Sequence, residues 1–278
     1  MGMNRYELLG TVGEGAMGVV WHAHDHERGI GVALKTLRPE LARWPEVVQC
    51  LKTEADICSR MLSPHVVQVL DSSSHPGEAY IAYELLHGET LGAHLAREKT
   101  LSLDMVRDVV TQVSRALSRV HALGVVHRDI KPDNIFLVPR IGGRFHVKVI
   151  DFGIADEGAH PVDFAGTPEY MPPEVLLGQR RASRSADLYA LGVVAFECLT
   201  GRCPYPGASA DDLLELLHAD PPALEDLRTD LPSGVSAWMA RAIHRDASQR
   251  FASAKDLSDA LTKACSAPEP VRRYALAA

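Results

Sequence analysis

The sequence is poor in the features that mark several common protein classes. Cysteine is scarce: Cys50, Cys58, Cys198, Cys203 and Cys265 are scattered, odd in number and contain no C-x-x-C pair. That argues against a disulfide framework or a thiolate zinc site and leaves them as buried or inert thiols. Basic charge is scarce too. With 29 Lys+Arg against 36 Asp+Glu the formal net charge is −7, so the cation excess that a nucleic-acid binder concentrates is missing. Long apolar runs are absent. The most apolar stretch, Leu188 to Leu199, is broken by Glu197 and falls short of the roughly 20 residues that a bilayer span needs. Met1 to Tyr6 lack the apolar run of a secretory signal, and Tyr6 stands where a myristoylation pattern needs Ser or Thr. These absences predict a cytoplasmic protein with no membrane span and no nucleic-acid partner.

What is present is an ordinary globular composition. At 46% hydrophobic and 23% charged over 278 residues, the chain is neither disordered nor a stapled miniprotein, and it can fill one large domain or two small ones. Its first third reads as strands at Tyr6 to Val12, Gly18 to His24, Val32 to Leu37, Val66 to Leu70 and Ala79 to Tyr83. One helix interrupts them over Glu46 to Leu62, where Val47, Leu51, Ala55, Cys58 and Met61 or Leu62 form a stripe with Glu54 beside it. After Gly88 the pattern turns helical. Val106, Val109, Val110, Val113, Ala116, Leu117, Val120 and Leu123 form one stripe, ended by Gly124. Ala186 to Leu199 is apolar nearly all round, which predicts a buried helix. Shorter helices are expected at Asp211 to His218, Val235 to Arg245 and Ala254 to Cys265, the last with Ser253 and Asp256 at capping-box spacing. Residues 266–278 read as a frayed tail. The architecture implied is a small β-rich lobe of about residues 1–86 and a larger α-rich lobe of about 87–265, with a hinge near Glu84 to Gly88 and a ligand cleft between them.

The chemistry-bearing residues fall around that cleft. Gly13-Glu14-Gly15-Ala16-Met17-Gly18 joins two strands. Such a loop lets backbone N–H groups approach phosphate, although a plain hairpin accounts for it equally well. Lys35, in Val32-Ala33-Leu34-Lys35, would be surface decoration if alone. Paired with Glu54 it becomes a candidate phosphate clamp. His22, His24 and His26 alternate along a strand and a turn, where a metal site is the less favoured reading against a solvated face. His127-Arg128-Asp129-Ile130-Lys131-Pro132-Asp133-Asn134 follows the long helix, and Asp151-Phe152-Gly153 follows the strand Val147-Lys148-Val149-Ile150.

In order, type and spacing this set resembles the catalytic domain of eukaryotic-like serine/threonine protein kinases, particularly the bacterial ones, over about residues 6–265. Gly166-Thr167-Pro168-Glu169-Tyr170-Met171-Pro172-Pro173-Glu174 resembles the family's substrate-docking segment, with Pro172 where the family usually has Ala. The resemblance implies a two-lobed α+β fold and transfer of the ATP γ-phosphate to protein Ser or Thr hydroxyls, with Mg²⁺ or alternatively Mn²⁺. It implies that Lys35 contacts the α and β phosphates and Glu54 orients it. Asn134 and Asp151 would bind the metal, Asp129 would accept or orient the substrate hydroxyl, and Lys131 would neutralise the γ-phosphate. The nucleotide would lie against Val12, Gly13, Glu14, Gly15, Ala16, Met17, Gly18, Val20, Ala33 and Phe136, with the backbone of Glu84 and Leu86 on the adenine edge. Tyr83 would gate and narrow the pocket behind adenine. His127 would be packing, Cys58 would stack in line with Val69, His127 and Phe152, and Arg250 would pair with Glu174.

The expected partners are a protein substrate and a regulatory protein. Rival readings are a pseudokinase scaffold and a small-molecule phosphotransferase. The intact Lys35, Asp129, Asn134 and Asp151 disfavour the first, and the segment from Gly166 to Glu174 disfavours the second. Arg128 would usually bind a phosphorylated residue, yet Ile154 to Ala165 contains no Ser, Thr or Tyr. Asp156, Glu157 or, preferentially, Asp163 is then expected to offer it a carboxylate.

Overall fold

The β-branched runs of the first third form a five-stranded antiparallel sheet of β1 (Tyr6–Glu14), β2 (Gly18–Asp25), β3 (Ile30–Leu37), β4 (Val69–Ser73) and β5 (Tyr80–Glu84), in the order β1-β2-β3-β5-β4. The structure is a computed structural model that describes residues 5–15, 17–75, 78–152, 167–179, 183–205 and 221–266. In the sheet Val20 pairs with Lys35, Ala33 with Tyr83 and Lys35 with Ile81. Opposed residues share a face and faces alternate along a strand, so these five side chains project from the same side. That side packs on α1 (Pro45–Ser59), where Leu51 and Ala55 join Leu37, Val67, Ile81 and Tyr83 in one apolar cluster. The opposite face carries Tyr6, Ala23, Val32, Leu34, Tyr80 and Ala82.

In the first lobe the end of one helix and the start of one strand fall three residues from the sequence reading, and in the second lobe the helix expected at Val235 to Arg245 runs from Ser233 to Ala242. Helix α1 stops at Ser59, not Leu62: Met61 is the buried residue, whereas Leu62 is exposed and outside the stripe. The strand expected from Val66 starts at Val69. Val66 instead makes an isolated parallel bridge to Val149, and the amide of Val67 donates to the Val149 carbonyl at 3.0 Å.

The second lobe is helical with one small sheet. Helix α2 (Leu91–Glu98) is capped by Thr90, and α3 (Leu103–Ala122) by Ser102, whose hydroxyl accepts from the Met105 amide. The stripe of α3 is buried from Val106 to Val120, but Leu123, expected to end it, lies just past the helix and is exposed, and Gly124 leaves the helix with φ +78°. Strands β6 (Glu89–Thr90), β7 (Ile135–Arg140) and β8 (Arg144–Val149) pair in that order. Only part of β8 was anticipated from the sequence. After α4 (Pro173–Leu176), α5 (Arg184–Thr200) runs through the core, buried on nearly every side. Then follow α6 (Leu224–Leu227), α7 (Ser233–Ala242) and α8 (Ala254–Ser266). Half of the capping box at α8 is present: the Asp256 amide donates to Ser253 Oγ at 3.1 Å, while the Asp256 carboxylate accepts from that hydroxyl at 2.7 Å. The helix expected at Asp211 to His218 and the tail beyond residue 266 lie outside the described residues. Among the described residues no helix is long and apolar enough to cross a membrane.

Candidate active site

The site is assembled where the sheet face bearing Lys35 meets α1, the segment between α3 and β7, and the end of β8. Lys35 Nζ donates to both oxygens of Glu54, at 2.8 and 3.1 Å, and to Asp151 Oδ1 at 3.2 Å. Burial works against the lysine charge, but Glu54 and then Asp151 outweigh it and hold the ammonium above the ordinary lysine range. Glu54 is itself buried on α1 and receives a further hydrogen bond from the Tyr83 hydroxyl at 2.8 Å. The pairing of strand lysine with helix glutamate read from the sequence is therefore present, and it extends to Asp151 and Tyr83.

A second cluster surrounds Asp129. The Asn134 side-chain amide donates to the Asp129 carbonyl at 2.8 Å and to Oδ2 at 2.7 Å, and Lys131 Nζ lies 2.9 Å from the same oxygen. Lys131 also donates to the Thr167 hydroxyl at 3.1 Å, which ties this segment to the start of the docking-like stretch. Buried Asp187, in the first turn of α5, accepts from the amides of His127 and Arg128, both at 2.9 Å, and contacts His121 Nε2 at 2.7 Å. His127 is fully buried and stacks on Phe152 with ring centroids 4.4 Å apart. Burial drives its pKa down, so the ring is neutral and its Nδ1 accepts from the Asp129 amide at 3.2 Å.

The glycine loop and the hinge supply the rest. A Cβ at Gly18 would meet the Thr36 carbonyl oxygen at 2.0 Å, so this glycine answers to close packing on β3. At Gly13 and Gly15 no protein atom lies within 4 Å of where a Cβ would stand. Met17 lies beside Gly18 and is tied to β3, its carbonyl accepting from the Arg38 amide at 3.2 Å, while Val12 and Glu14 are exposed on β1. Ala16 and Gly153 lie outside the described residues, as do Asp156, Glu157 and Asp163. Ala33 and Leu86 pack against one cluster, Val20 shares the Ala33 face, and Phe136 stands in β7. The Glu84 amide is occupied by the Gln68 carbonyl at 3.0 Å.

Sequence reasoning missed two clamps. The Arg38 guanidinium donates to the Gly15 carbonyl at 3.2 and 3.3 Å, anchoring the loop to the end of β3. Lys148 Nζ lies 2.6 Å from the Glu84 carboxylate, fixing the hinge to β8. Their only sequence signal was an unassigned cation beside a motif. The three histidines do not gather: His24 and His26 pack edge to face, and among the described residues no group of three or more His, Cys, Asp or Glu is set to hold a metal. Cys58 is buried in the cluster that contains Phe152, with Val69 packed against it. Burial pushes its thiol pKa up, which removes the thiolate that oxidation requires. Pro172 has φ −74°, the angle its ring imposes, immediately before α4, so it fits without disturbing Glu174.

A model of the protein kinase domain family matches residues 6–266, and the chain belongs to that family. The serine/threonine-protein kinase Pkn1 of Myxococcus xanthus is 37% identical over 264 residues, which is 92% of this chain and 38% of that protein. The serine/threonine-protein kinase PknA of Mycobacterium tuberculosis is 35% identical over 278 residues, covering 96% of this chain and 63% of that protein. The chain thus spans less than two thirds of the length of either relative. Among solved structures, the crystal structure of the Mycobacterium tuberculosis PknI kinase domain superposes with a TM-score of 0.74 at 27% identity, covering 94% of this chain and 96% of that one.

Proposed function

We propose that residues of about 6–265 form the catalytic domain of a serine/threonine protein kinase that transfers the ATP γ-phosphate to Ser or Thr hydroxyls of a protein substrate. The observation that carries the reading is the joining of Lys35, Glu54 and Asp151 within 3.2 Å beside the cluster of Asp129, Lys131 and Asn134. Bound ATP with its divalent cation supplies the transferable phosphoryl group, whose transition state is loose and charge-rich. The protein's part is positioning and charge neutralisation.

Lys35, fixed by Glu54, presents an ammonium to the α and β phosphates. Asp151 and the amide oxygen of Asn134 are hard oxygen donors and suit Mg²⁺ or Mn²⁺. One or two such protein donors completed by substrate phosphates is how Mg²⁺ is usually held at nucleotide sites. The contacts that Asn134 and Lys131 make to the Asp129 carboxylate both fall on Oδ2, so Oδ1 is the oxygen for the substrate hydroxyl proton. Gly13 and Gly15, with room around their Cα atoms, admit phosphate near the backbone, and Val12, Glu14, Ala16, Met17 and Gly18 complete that loop. Val20, Ala33 and Phe136 flank adenine, and the Glu84 carbonyl with the Leu86 backbone meets its edge. A protein substrate and a regulatory protein partner complete the proposal.

The test is incubation of purified protein with labelled Mg-ATP and a library of Ser/Thr peptides, alongside the Asp129→Asn variant. Label on hydroxyls that depends on Asp129 supports the reading. Absence of transfer with intact ATP binding would leave a scaffold instead.

A further inference from the structure

The Tyr83 side chain does more than wall the nucleotide pocket. We infer that Tyr83 is a positioning residue whose hydroxyl holds Glu54 in the orientation that presents Lys35 to the nucleotide, an inference that rests on the kinase reading above. Tyr83 sits in β5 between β3 and β4, paired with Ala33 on one side and Val69 on the other. Its backbone is therefore fixed from both flanks. The ring is buried against Leu51 and Ala55 of α1, and its hydroxyl reaches Glu54 Oε1 at 2.8 Å. Burial, reinforced by the negative Glu54, keeps the phenol protonated far above the ordinary tyrosine range, so the hydroxyl is the donor and the carboxylate the acceptor.

The two donors to Glu54 differ in how firmly they are committed. Among the described residues those donors are Lys35 and Tyr83. Lys35 divides its ammonium between Glu54 and Asp151, and by the proposed function it must also serve the phosphates. Among the described residues the Tyr83 hydroxyl donates to Glu54 alone. The N-cap of helix α1, Trp44, makes no side-chain capping bond and is exposed, and among the described residues the helix is held on the sheet, apart from Glu54, by apolar packing, which is not directional. A buried carboxylate that shares one lysine with two other claimants gains a fixed direction from the phenol. An apolar residue at 83 would fill the space and remove that direction.

The experiment compares wild type, Tyr83→Phe and Tyr83→Met, which both lose the donor while keeping bulk, and each with and without Glu54→Ala. In the Glu54 background, kcat should fall about tenfold or more while the KM for ATP changes by less than about threefold, as expected for a lost hydrogen bond to a charged group that acts on the transition state. In the Glu54→Ala background the substitution should cost less than about twofold. Hydrogen exchange of the apoprotein should be faster at the α1 amides and unchanged in α5. A kcat within about twofold of wild type in either folded variant, a rise in KM alone, an equal loss without Glu54, or unchanged α1 exchange would each overturn the assignment. If the wild type itself transfers no phosphate, the kinase reading fails, while the exchange measurement still reads the Tyr83–Glu54 link.

Discussion

Replacing Glu174 with Ala would strand a charge that has no route to water. The Arg250 side chain has 0% exposure and Glu174 12%, and they are joined by two parallel bonds of 2.8 Å. Arg250 also donates to the His244 carbonyl at 2.6 Å and the Arg245 carbonyl at 3.0 Å, and its guanidinium lies 4.7 Å from the Tyr189 ring centroid. Breaking a buried pair costs about 3 to 5 kcal/mol. Because the carbonyls and the ring remain, the lower end, about 3 kcal/mol, is expected for Glu174→Ala. For a domain of this size that corresponds to a fall in Tm of roughly 6 to 12 °C. The assay is calorimetric melting together with urea unfolding, where the midpoint should drop with the slope unchanged. Glu174→Ala with Arg250→Met should recover much of the loss, since an apolar replacement of a whole buried pair is often close to neutral. The exposed pair Lys255–Asp259 on α8 is the control, and Lys255→Ala should move Tm by under about 1 °C. A Glu174→Ala loss below about 2 °C, or a double variant no better than the single one, would refute the argument.

Four further outcomes are expected. Asp129→Asn should slow phosphoryl transfer by at least about 10²-fold with ATP affinity little changed, read from initial rates and nucleotide binding. Lys35→Met and Glu54→Gln should each impair catalysis and combine far from additively in a double-mutant cycle, because the two groups act as one unit. Enzyme made with a co-expressed phosphatase and shown phosphate-free by mass spectrometry should work within about tenfold of the untreated rate, and Asp163→Asn should lose activity. A larger drop reversed by phosphate on Thr167 would contradict this. His127 is held neutral by burial while the unfolded chain protonates near 6.5, so the unfolded state binds more protons below that pH and stability falls on acidification. The loss of Tm between pH 8 and 5.5 should therefore be smaller in His127→Phe, and an unchanged pH slope would exclude this origin.

How much of this was legible depends on the range of the interaction. Strands β1, β2, β3 and β5 and helices α3 and α5 announce themselves because side-chain periodicity is local, and the Ser253–Asp256 cap is only three residues wide. The pairing of Lys35 with Glu54 was visible because Lys35 is a lone charge on an apolar strand and Glu54 lies beside an apolar helical stripe. The small sheet was less visible. β6 is two residues long, and β7 contains Pro139 and begins directly after Asn134, so neither shows a clean alternation. The clamps Arg38–Gly15 and Lys148–Glu84 join residues 23 and 64 positions apart, and no window of sequence contains both ends. Tyr83 is the instructive case. From the sequence it reads as a bulky ring that narrows the pocket behind adenine, whereas the partner of its hydroxyl lies 29 residues away.

The larger core also has a task beyond stability. Arg128 has φ +72° and Asp151 φ +50°, and these residues flank the proposed proton acceptor and provide a proposed metal ligand. Asp tolerates that region better than most residues, but Arg does not, and a left-handed non-glycine residue costs roughly 1 to 3 kcal/mol. The Arg128 backbone is held there by Asp187, which takes the amides of both His127 and Arg128 on one carboxylate. Asp187 can do so because it is 1% exposed and stands in the first turn of α5, where the amide ends of the helix favour a negative charge. α5 in turn is fixed by apolar contacts on almost every side. A helix hydrophobic all round, which by composition is only a buried helix, becomes the support that keeps a strained backbone in place and aims Asp129. Loss of packing in α5 should therefore reach catalysis through Asp187 before it unfolds the domain.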